Sequence, residues 1–254
     1  MMKRFSRGIY VARLANGPED VEAAQRLRHA AFIAGREGAV AKGARADGLD
    51  ADHLDARCDH MLVEERKSGR LVCCFRMMPL GSGAEIDRTY SAQYYDLDAL
   101  RAYPSPMVEM GRFCILPGLA DPDILRVAWG AMTAYVDEKG VEMLFGCSSF
   151  DGTEAETYMD AFALLKAKHL APKRWLPRVK APKTFPFAKL LRIGRPDMKQ
   201  AIGRMPPLLR TYLLMGGWVS DHAVVDNDLN TLHVFTGLEI KRVPKARQRL
   251  LRGV

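Results

Sequence analysis

The sequence contains no apolar run that approaches the roughly 18 to 20 residues needed to span a bilayer. Its basic start, MMKRFSRGIY, leads into charged sequence and not into the apolar core of a signal peptide. We therefore expect a cytoplasmic protein. The five cysteines include no C-x-x-C pair and none of the spacing typical of a zinc site or a disulfide framework. This predicts reduced, mostly buried thiols and no bound metal.

Several catalytic motifs are missing as well. The chain has no G-x-S-x-G, no Walker loop, no dinucleotide fingerprint after a strand and no H-E-x-x-H. Their absence argues against the large classes of hydrolases, nucleotide-binding enzymes and metalloproteases that depend on them.

What the chain does contain is enough apolar sequence for a full core. Of its 254 residues 48% are hydrophobic, which predicts one elaborated domain over residues 1–254. The net charge of +8 is unevenly distributed: residues 1–165 hold 19 Lys and Arg against 25 Asp and Glu, whereas residues 166–254 hold 19 against 5. The basic C-terminal third indicates a polyanionic partner, either nucleic acid, an anionic membrane surface or an acidic protein. The alternative is a solvated, solubilising face.

The apolar pattern predicts an α/β order of elements. Apolar runs predict strands at His60–Arg66, Leu71–Pro79, Met107–Leu116 and Val141–Ser149. Helical spacing predicts helices at Pro18–Ala34, about Pro122–Lys139 and Asp151–Lys168. The first two strands form a hairpin, and the later strand, helix, strand, helix order is that of a parallel crossover. A long loop at Gly35–Asp59 separates the first helix from the hairpin, and its length favours a role at a site.

The C-terminal third changes composition. Between Pro172 and Pro207, seven prolines are interleaved with Lys, Arg and aromatic residues, which indicates an extended basic arm or insertion rather than core. Order returns with a short helix in Leu208–Gly217 and two strands, HAVVD and TLHVFTGLEI. The polar residues between these strands fit a simple turn.

Charged residues inside apolar strands are the main chemical signal. Glu109 and Arg112 lie in MVEMGRFCIL, and Arg76 lies in LVCCFRMMP. Such charges are costly to bury unless they are paired or functional. A structural salt bridge is the simpler explanation, and a catalytic or binding role is the other.

These charges belong to an ordered set that resembles the signature of acyl-homoserine-lactone synthases. The set is Arg28-x-x-x-Phe32, Asp50-x-Asp52-x-x-Asp55, Arg76 and Glu109-x-x-Arg112-Phe113. The first acidic position is Asp50, where those synthases usually carry glutamate. Later segments resemble a sister family, the ornithine N-acyltransferases that make lyso-ornithine lipid; they are EMGRFCILPG, LFGCSSFDG, PPLLRTYLLMGGWV and VVDNDLNTLHVF. Relatives that acylate glutamine are also similar.

The resemblance implies a GNAT-like mixed central sheet flanked by helices, splayed between the strand of Glu109 and the strand of Cys147. It also implies a 3-hydroxyacyl donor carried on acyl carrier protein as a 4'-phosphopantetheine thioester, with no bound cofactor. Acetyl-CoA enzymes of this fold usually carry a glycine-containing loop that binds the pyrophosphate at a helix N-terminus. Here that place reads LPGLADPDIL, which favours a donor without the CoA nucleotide.

On this resemblance the acceptor amine loses a proton to Glu109, directly or through a water, because a carboxylate in an apolar strand binds a proton more readily. The structural alternative for Glu109 is a salt bridge to Arg112. Arg28, Arg76 and Arg112 are candidates to hold the carboxylate of the amino acid by paired hydrogen bonds.

The remaining roles concern the thioester and the acceptor side chain. Ser148 or Ser149 could help backbone amides stabilise the oxyanion, or could simply form a turn. Tyr158 resembles the tyrosine that protonates the leaving thiolate, or is a packed helix residue. Asp50, Asp52 and Asp55 could hold the side-chain ammonium of the acceptor; we favour the alternative, that they organise their loop by pairing with Arg28 and Arg76.

Three hypotheses therefore remain open. The first is an N-acyltransferase with ornithine as acceptor and glutamine as runner-up, docked to acidic carrier protein and to anionic lipid through the basic third. The second is an acyl-homoserine-lactone synthase, which requires S-adenosylmethionine. The third is a nonenzymatic basic module that binds membranes or nucleic acid, although no nucleic-acid motif is present.

Overall fold

The computed structural model describes residues 5–34, 47–192 and 196–252. The strands are β1 (Phe5–Arg7), β2 (Tyr10–Leu14), β3 (Asp59–Glu65), β4 (Leu71–Leu80), β5 (Tyr95–Asp96), β6 (Met107–Ile115), β7 (Met143–Asp151), β8 (Arg178–Val179), β9 (Thr184–Phe185), β10 (Trp218–Val219), β11 (Ala223–Asp226) and β12 (Thr231–Glu239). The α-helices are α1 (Pro18–Phe32), α2 (Ser91–Tyr94), α3 (Asp98–Arg101), α4 (Pro122–Lys139), α5 (Met159–Lys168), α6 (Phe187–Leu190), α7 (Met198–Arg204), α8 (Pro207–Leu214) and α9 (Lys245–Leu251).

The chain divides into two compact units. The first unit comprises Met1–Pro79, Met110–Val141 and Lys245–Val254, and the second unit comprises Leu80–Glu109 and Glu142–Pro244. Both combine strands and helices, so the fold class is α/β, as predicted.

The first unit is a sheet covered by helices on both faces. Its strands follow the order β1-β2-β3-β4-β6, with antiparallel pairing from β1 to β4. Helix α1 packs Ala24 and Leu27 against Leu62 of β3 and Cys74 of β4. Helix α4 packs against β1, β2 and the other face of β3. The apolar face of each helix therefore covers one face of the sheet.

Both ends of helix α4 carry local sequence signals, which is why they could be predicted. The Asp121 side chain accepts a hydrogen bond from the Asp123 N–H at the N-cap, and Pro122 occupies the first turn. The helix ends at Gly140, which has a φ of 62° in the left-handed region. That conformation favours glycine, which is why Gly140 stops the helix.

The second unit is built on strands in the order β6-β7-β12-β11-β9. Strand β6 pairs in parallel with β7 over three residues, Met107 to Glu109 against Met143 to Phe145. Strand β12 pairs antiparallel with β7 along its whole length, and β11 pairs antiparallel with β12. The short β5 and β8 form a separate two-stranded sheet.

Most elements predicted from sequence are confirmed. The hairpin is β3 and β4, the two later strands are β6 and β7, and the C-terminal pair is β11 and β12. The predicted helix at Asp151–Lys168 begins only at Met159, after a 3-10 turn over Ala155–Tyr158. Much of the predicted loop, residues 35–46, lies outside the described residues.

The interpretation of Pro172–Pro207 as an arm without core residues is wrong in part. Phe187 and Ala201 are fully buried and Met205 nearly so, and all three join the apolar core of the second unit with Phe162 of α5. Strand β9 of the same stretch pairs with β11. The many prolines and lysines of this stretch are typical of an exposed arm, and its buried apolar residues are too widely spaced to form a recognisable pattern.

Candidate functional site

A cluster of three arginines and three aspartates lies in the first unit. Arg28, on the buried face of α1, is only 1% exposed. Its Nε donates to Asp50 Oδ2 at 3.0 Å, its Nη1 donates to Asp55 Oδ1 at 2.8 Å, and its Nη2 donates to the Asp50 carbonyl. The guanidinium is thus occupied on every side by the segment that follows α1.

Arg76 of β4 binds the same segment from the sheet. Its Nη1 donates to Asp52 Oδ1 at 2.6 Å and to Asp55 Oδ1 at 2.7 Å, and its Nη2 donates to Asp52 Oδ2 at 2.8 Å. The two parallel bonds to Asp52 are the fork geometry that arginine makes with a carboxylate. The predicted pairing of Arg28 and Arg76 with the aspartates is confirmed.

Arg112 of β6 is the third arginine and the most accessible one. Its side chain is 14% exposed, against 1% for Arg28 and 4% for Arg76. Its Nε lies 3.1 Å from Asp50 Oδ2 and its Nη2 lies 3.6 Å from Asp52 Oδ2. Its φ of 53° places a non-glycine residue in the left-handed region. Such backbone strain costs of the order of 1–3 kcal/mol and is concentrated at functional sites.

The charges in this cluster hold one another ionised. Burial raises the pKa of Asp55, but the hydrogen bonds and charges of Arg28 and Arg76 outweigh burial and hold that pKa well below its usual range. Burial also raises the pKa of Asp52, and Arg76 again brings it below its ordinary value. In return, burial lowers the pKa of Arg76 while the two carboxylates raise it above the usual value. None of these three groups changes charge near neutral pH.

The two predicted phenylalanines of the first unit have packing roles. Phe32, at the end of α1, packs half-buried against the core that contains Leu27 and Leu62. Phe113 stacks on Phe75, with ring centroids 5.4 Å apart and planes 22° apart. Both rings cover apolar surface of the first unit.

Glu109 lies in the second unit, in the part of β6 that pairs with β7. It is only 5% exposed. Its Oε2 accepts the Tyr90 N–H at 2.8 Å, and its Oε1 accepts both the Ser91 N–H at 2.7 Å and the Ser91 hydroxyl at 2.6 Å. Burial disfavours an ionised carboxylate, whereas three donors favour it. The burial was predicted from sequence, whereas these three donors were not.

Residues around Ser91 were missed by sequence reasoning. Ser91 is fully buried at the start of α2, and its Oγ also lies 3.4 Å from Cys147 Sγ of β7. Tyr95 donates to the His233 carbonyl at 2.7 Å and its oxygen lies 3.2 Å from His233 Nδ1. Ser91 and Tyr95 come from SAQYYDLDAL, whose short elements leave no apolar period to detect. Its only signal was an unusual density of tyrosines.

The two predicted serines of β7 point to opposite faces of the sheet, because successive strand residues alternate. Ser149 is exposed and shares its face with Cys147 and the paired His233. Ser148 is buried on the other face, where its Oγ accepts a hydrogen bond from Thr236 at 2.9 Å. The two serines therefore cannot serve the same group.

Tyr158 lies on the Ser148 face. Its ring packs against Phe150, with centroids 5.0 Å apart, and against Phe162. Its hydroxyl donates to the Asp151 carbonyl at 2.5 Å. Burial, followed by the charge of Asp151, raises the pKa of this phenol. Glu109 pairs with Phe145 and so lies on the other sheet face, that of Cys147.

The polar residues between β11 and β12 form the predicted turn. Asp226 Oδ1 accepts the N–H groups of Asp228 and Leu229, at 3.0 and 3.1 Å. Such a bond pattern shapes the turn itself.

Within residues 5–34, 47–192 and 196–252, no group of three or more His, Cys, Asp or Glu side chains is placed to hold a metal ion. In the same ranges no helix is both long and apolar enough to cross a bilayer. The cysteines are free thiols, with three buried and Cys58 and Cys147 half-buried.

Known proteins resemble this chain over most of its length. Residues 27–130 match the family described as Acetyltransferase (GNAT) domain. The L-ornithine N(alpha)-acyltransferase of Rhodobacter capsulatus is 34% identical over 230 residues, covering 89% of this chain and 88% of that protein. The L-ornithine N(alpha)-acyltransferase of Agrobacterium fabrum is 27% identical over 243 residues, covering 93% and 83%.

Two solved structures resemble the fold. FeeM, an N-acyl amino acid synthase from uncultured soil microbes, has a TM-score of 0.51 at 13% identity, covering 94% of this chain and 97% of that one. BjaI, a CoA-dependent acyl-homoserine lactone synthase, has a TM-score of 0.50 at 15% identity, covering 93% and 82%. At this level of identity the likeness concerns the fold alone, and it agrees with the predicted GNAT-like α/β class.

Proposed function

Since the chain belongs to the family of L-ornithine N(alpha)-acyltransferases and is an acyltransferase, we propose that it transfers a 3-hydroxyacyl group to the α-amino group of ornithine. The product is lyso-ornithine lipid, the first intermediate of an aminolipid. The observation that carries this proposal is the 34% identity to the Rhodobacter capsulatus protein along nearly the whole of both chains. Glutamine is the second acceptor to consider.

The donor is an acyl thioester, and we assign it to acyl carrier protein. The amine nitrogen forms a bond to the thioester carbonyl carbon, the carbon–sulfur bond breaks, and the thiol of the 4'-phosphopantetheine arm leaves. Only the free amine attacks, so the ammonium first loses a proton. The nitrogen loses a second proton as the amide forms, and the leaving thiolate gains one.

Glu109 takes the proton of the ammonium, directly or through a water. The support is its geometry: Glu109 is a buried carboxylate whose two oxygens accept three hydrogen bonds, and such bonds favour the charged form that can take up a proton. General bases of this kind contribute about 10²- to 10⁴-fold to a rate. Tyr158, the acid for the thiolate suggested by the sequence, is not assigned this role, because it lies on the sheet face opposite Glu109 and its hydroxyl donates to the Asp151 carbonyl.

Arg112 is our choice to hold the carboxylate of the acceptor. Its greater exposure supports this role, since the side chains of Arg28 and Arg76 are more deeply buried. Asp52 is the most exposed of the three aspartates, at 23%, and is our choice to meet the side-chain ammonium of ornithine. Asp50 and Asp55 then keep the cluster in place. Ser149, the exposed serine of β7, is the better oxyanion candidate of the serine pair.

The basic C-terminal third fits docking of an acidic carrier protein and peripheral contact with anionic lipid. Leu190 supports the lipid contact, because it is 59% exposed next to Lys189. Phe187 does not support it, because that side chain is buried in the core. No nucleic-acid partner is proposed.

The test is an acyl-transfer assay with 3-hydroxyacyl carrier protein and a panel of ornithine, glutamine, other amino acids and S-adenosylmethionine, analysed by mass spectrometry. We expect lyso-ornithine lipid. A lactone formed from S-adenosylmethionine would identify the synthase alternative. If no thioester is consumed with any acceptor, the protein is a binding module and the proposal is wrong.

A further inference from the structure

The carboxylate of Glu109 is held by the chain segment that begins α2. We propose that Ser91 is a positioning residue for Glu109, which keeps this carboxylate ionised and thereby sets the pH below which the enzyme loses activity. The inference rests on the proposed role of Glu109 as the base in acyl transfer.

The contacts of Ser91 converge on one oxygen atom. Its N–H and its hydroxyl both donate to Oε1 of Glu109, at 2.7 and 2.6 Å, while the Tyr90 N–H occupies Oε2 at 2.8 Å. Each distance is that of a hydrogen bond strengthened by a charge. The Ser91 hydroxyl is the one side-chain donor of the three, so it is the contact that a substitution can remove without altering the backbone.

The hydroxyl has a second neighbour, which fixes its direction. Ser91 Oγ lies 3.4 Å from Cys147 Sγ. A hydroxyl carries one proton, and the Ser91 hydroxyl donates it in the shorter contact, to the carboxylate of Glu109. The Cys147 thiol is therefore the donor in the longer contact. The result is a chain of hydrogen bonds from Cys147 to Ser91 to Glu109 that orients one carboxylate oxygen.

The elements around Glu109 carry other titratable groups. Cys147 on β7 and Tyr90 beside α2 are a thiol and a phenol, which ordinarily titrate above pH 8. Burial, together with the charge of Glu109, raises the pKa of Tyr212 on α8. Burial lowers the pKa of His233 on β12 to about 3, so that ring is neutral. A change in the acid limb of the rate profile therefore reports on Glu109.

The test is the pH dependence of kcat/KM for Ser91→Ala. Loss of a donor to the charged form raises the pKa of the carboxyl, so the acid limb should move up by about one pH unit, with activity recovered at higher pH. Ser91→Thr keeps the hydroxyl and should restore the wild-type profile. An acid limb that does not move in Ser91→Ala, or activity lost equally at every pH, would overturn the proposal.

Ser220→Ala is the matched control. Ser220 is also a fully buried serine of the second unit, and its hydroxyl donates to the His222 carbonyl and accepts from the Phe235 N–H. This variant should lose stability without shifting the acid limb. If it shifts the limb as Ser91→Ala does, the effect is general loosening of the fold and the proposal fails.

Glu109→Gln separates this inference from the proposed function. A folded Glu109→Gln enzyme with the full wild-type rate would refute the base, and the role of Ser91 would fall with it. An inactive Glu109→Gln enzyme, together with an unmoved limb in Ser91→Ala, would leave the base in place and refute only the role of Ser91.

Discussion

The two units treat buried acidic groups in opposite ways. In the first unit Asp50, Asp52 and Asp55 are each met by a guanidinium, so negative charge is neutralised where it lies. In the second unit two backbone amides and a hydroxyl, which carry no charge, donate to Glu109. Ion pairs tie the segment after α1 to the sheet, whereas hydrogen bonds from the segment that begins α2 hold the carboxylate of Glu109 in place. Asp50 and Asp55 are thus assigned to structure and Glu109 to chemistry, with Asp52 as our choice to meet the substrate.

Removing a cation from the first cluster should give the largest effect. Arg28→Ala leaves the carboxylates of Asp50 and Asp55 without their most buried partner. We expect the free energy of unfolding to fall by about 3–5 kcal/mol, which is typical of a broken buried pair. Urea unfolding measures it. Arg26→Ala on the exposed face of the same helix is the control and should change stability by less than about 0.5 kcal/mol.

Removing the charge from Glu109 should affect activity more than stability. Glu109→Gln keeps the size of the side chain but removes the base, and we expect kcat to fall by about 10²- to 10⁴-fold. The amide group turns one acceptor into a donor, so unfolding should become easier by about 1–3 kcal/mol. Kinetics and unfolding of the same preparation separate the two effects. An unchanged kcat in a stable variant would contradict the assignment of Glu109 to catalysis, on which the contrast between the units depends.

Acid should act on the two units over different pH windows. The pKa of Asp55 is depressed in the folded protein, so its stabilisation is complete above the unfolded value near 4 and is lost as pH falls below it. His233 is depressed from 6.5 to about 3, so folding that buries the neutral ring loses stability from pH 6.5 downward, by at most about 1.4 kcal/mol per pH unit.

Urea unfolding between pH 7 and pH 4 checks the window of His233. We expect His233→Asn to be less sensitive to acid than the wild type in that range. Asp55→Asn should reduce the acid-dependent loss of unfolding free energy only below pH 4. Equal acid sensitivity of wild type and His233→Asn would contradict the assignment.

The smallest effect should come from the most exposed aspartate. Asp52→Asn removes one carboxylate from Arg76, which keeps its bond to Asp55. We expect about 1 kcal/mol lower stability, as for a partly exposed pair, and a KM for ornithine raised about tenfold if Asp52 meets the side-chain ammonium. Steady-state kinetics with ornithine and glutamine test this, because the KM for glutamine should change less.

A region can be predicted from sequence when the residues that determine its structure lie close together in the chain. The sequence of helix α4 contains both its N-cap residue and the glycine that ends it, so the predicted bounds, about Pro122–Lys139, agree with the observed ones. A charged partner for Arg76 was predictable because a lone guanidinium is costly to bury in an apolar run, whereas the pairing of Arg28 with the aspartates was predicted from the resemblance.

Other features depended on partners far apart in the chain. Ser91 contacts a carboxylate 18 residues away from within a segment of short elements, and no periodicity pointed to it. Phe187 and Met205 reach the core from a stretch whose composition is that of an exposed arm. In both cases tertiary packing decided what the local pattern did not show.

The most direct test of the account is the rate of ornithine acylation from 3-hydroxyacyl carrier protein, measured side by side for the wild type and Glu109→Gln. The account predicts lyso-ornithine lipid from the wild type and a rate at least about 10²-fold lower from a folded Glu109→Gln protein. Equal rates for the two proteins, or no acylation of ornithine by the wild type, would contradict it.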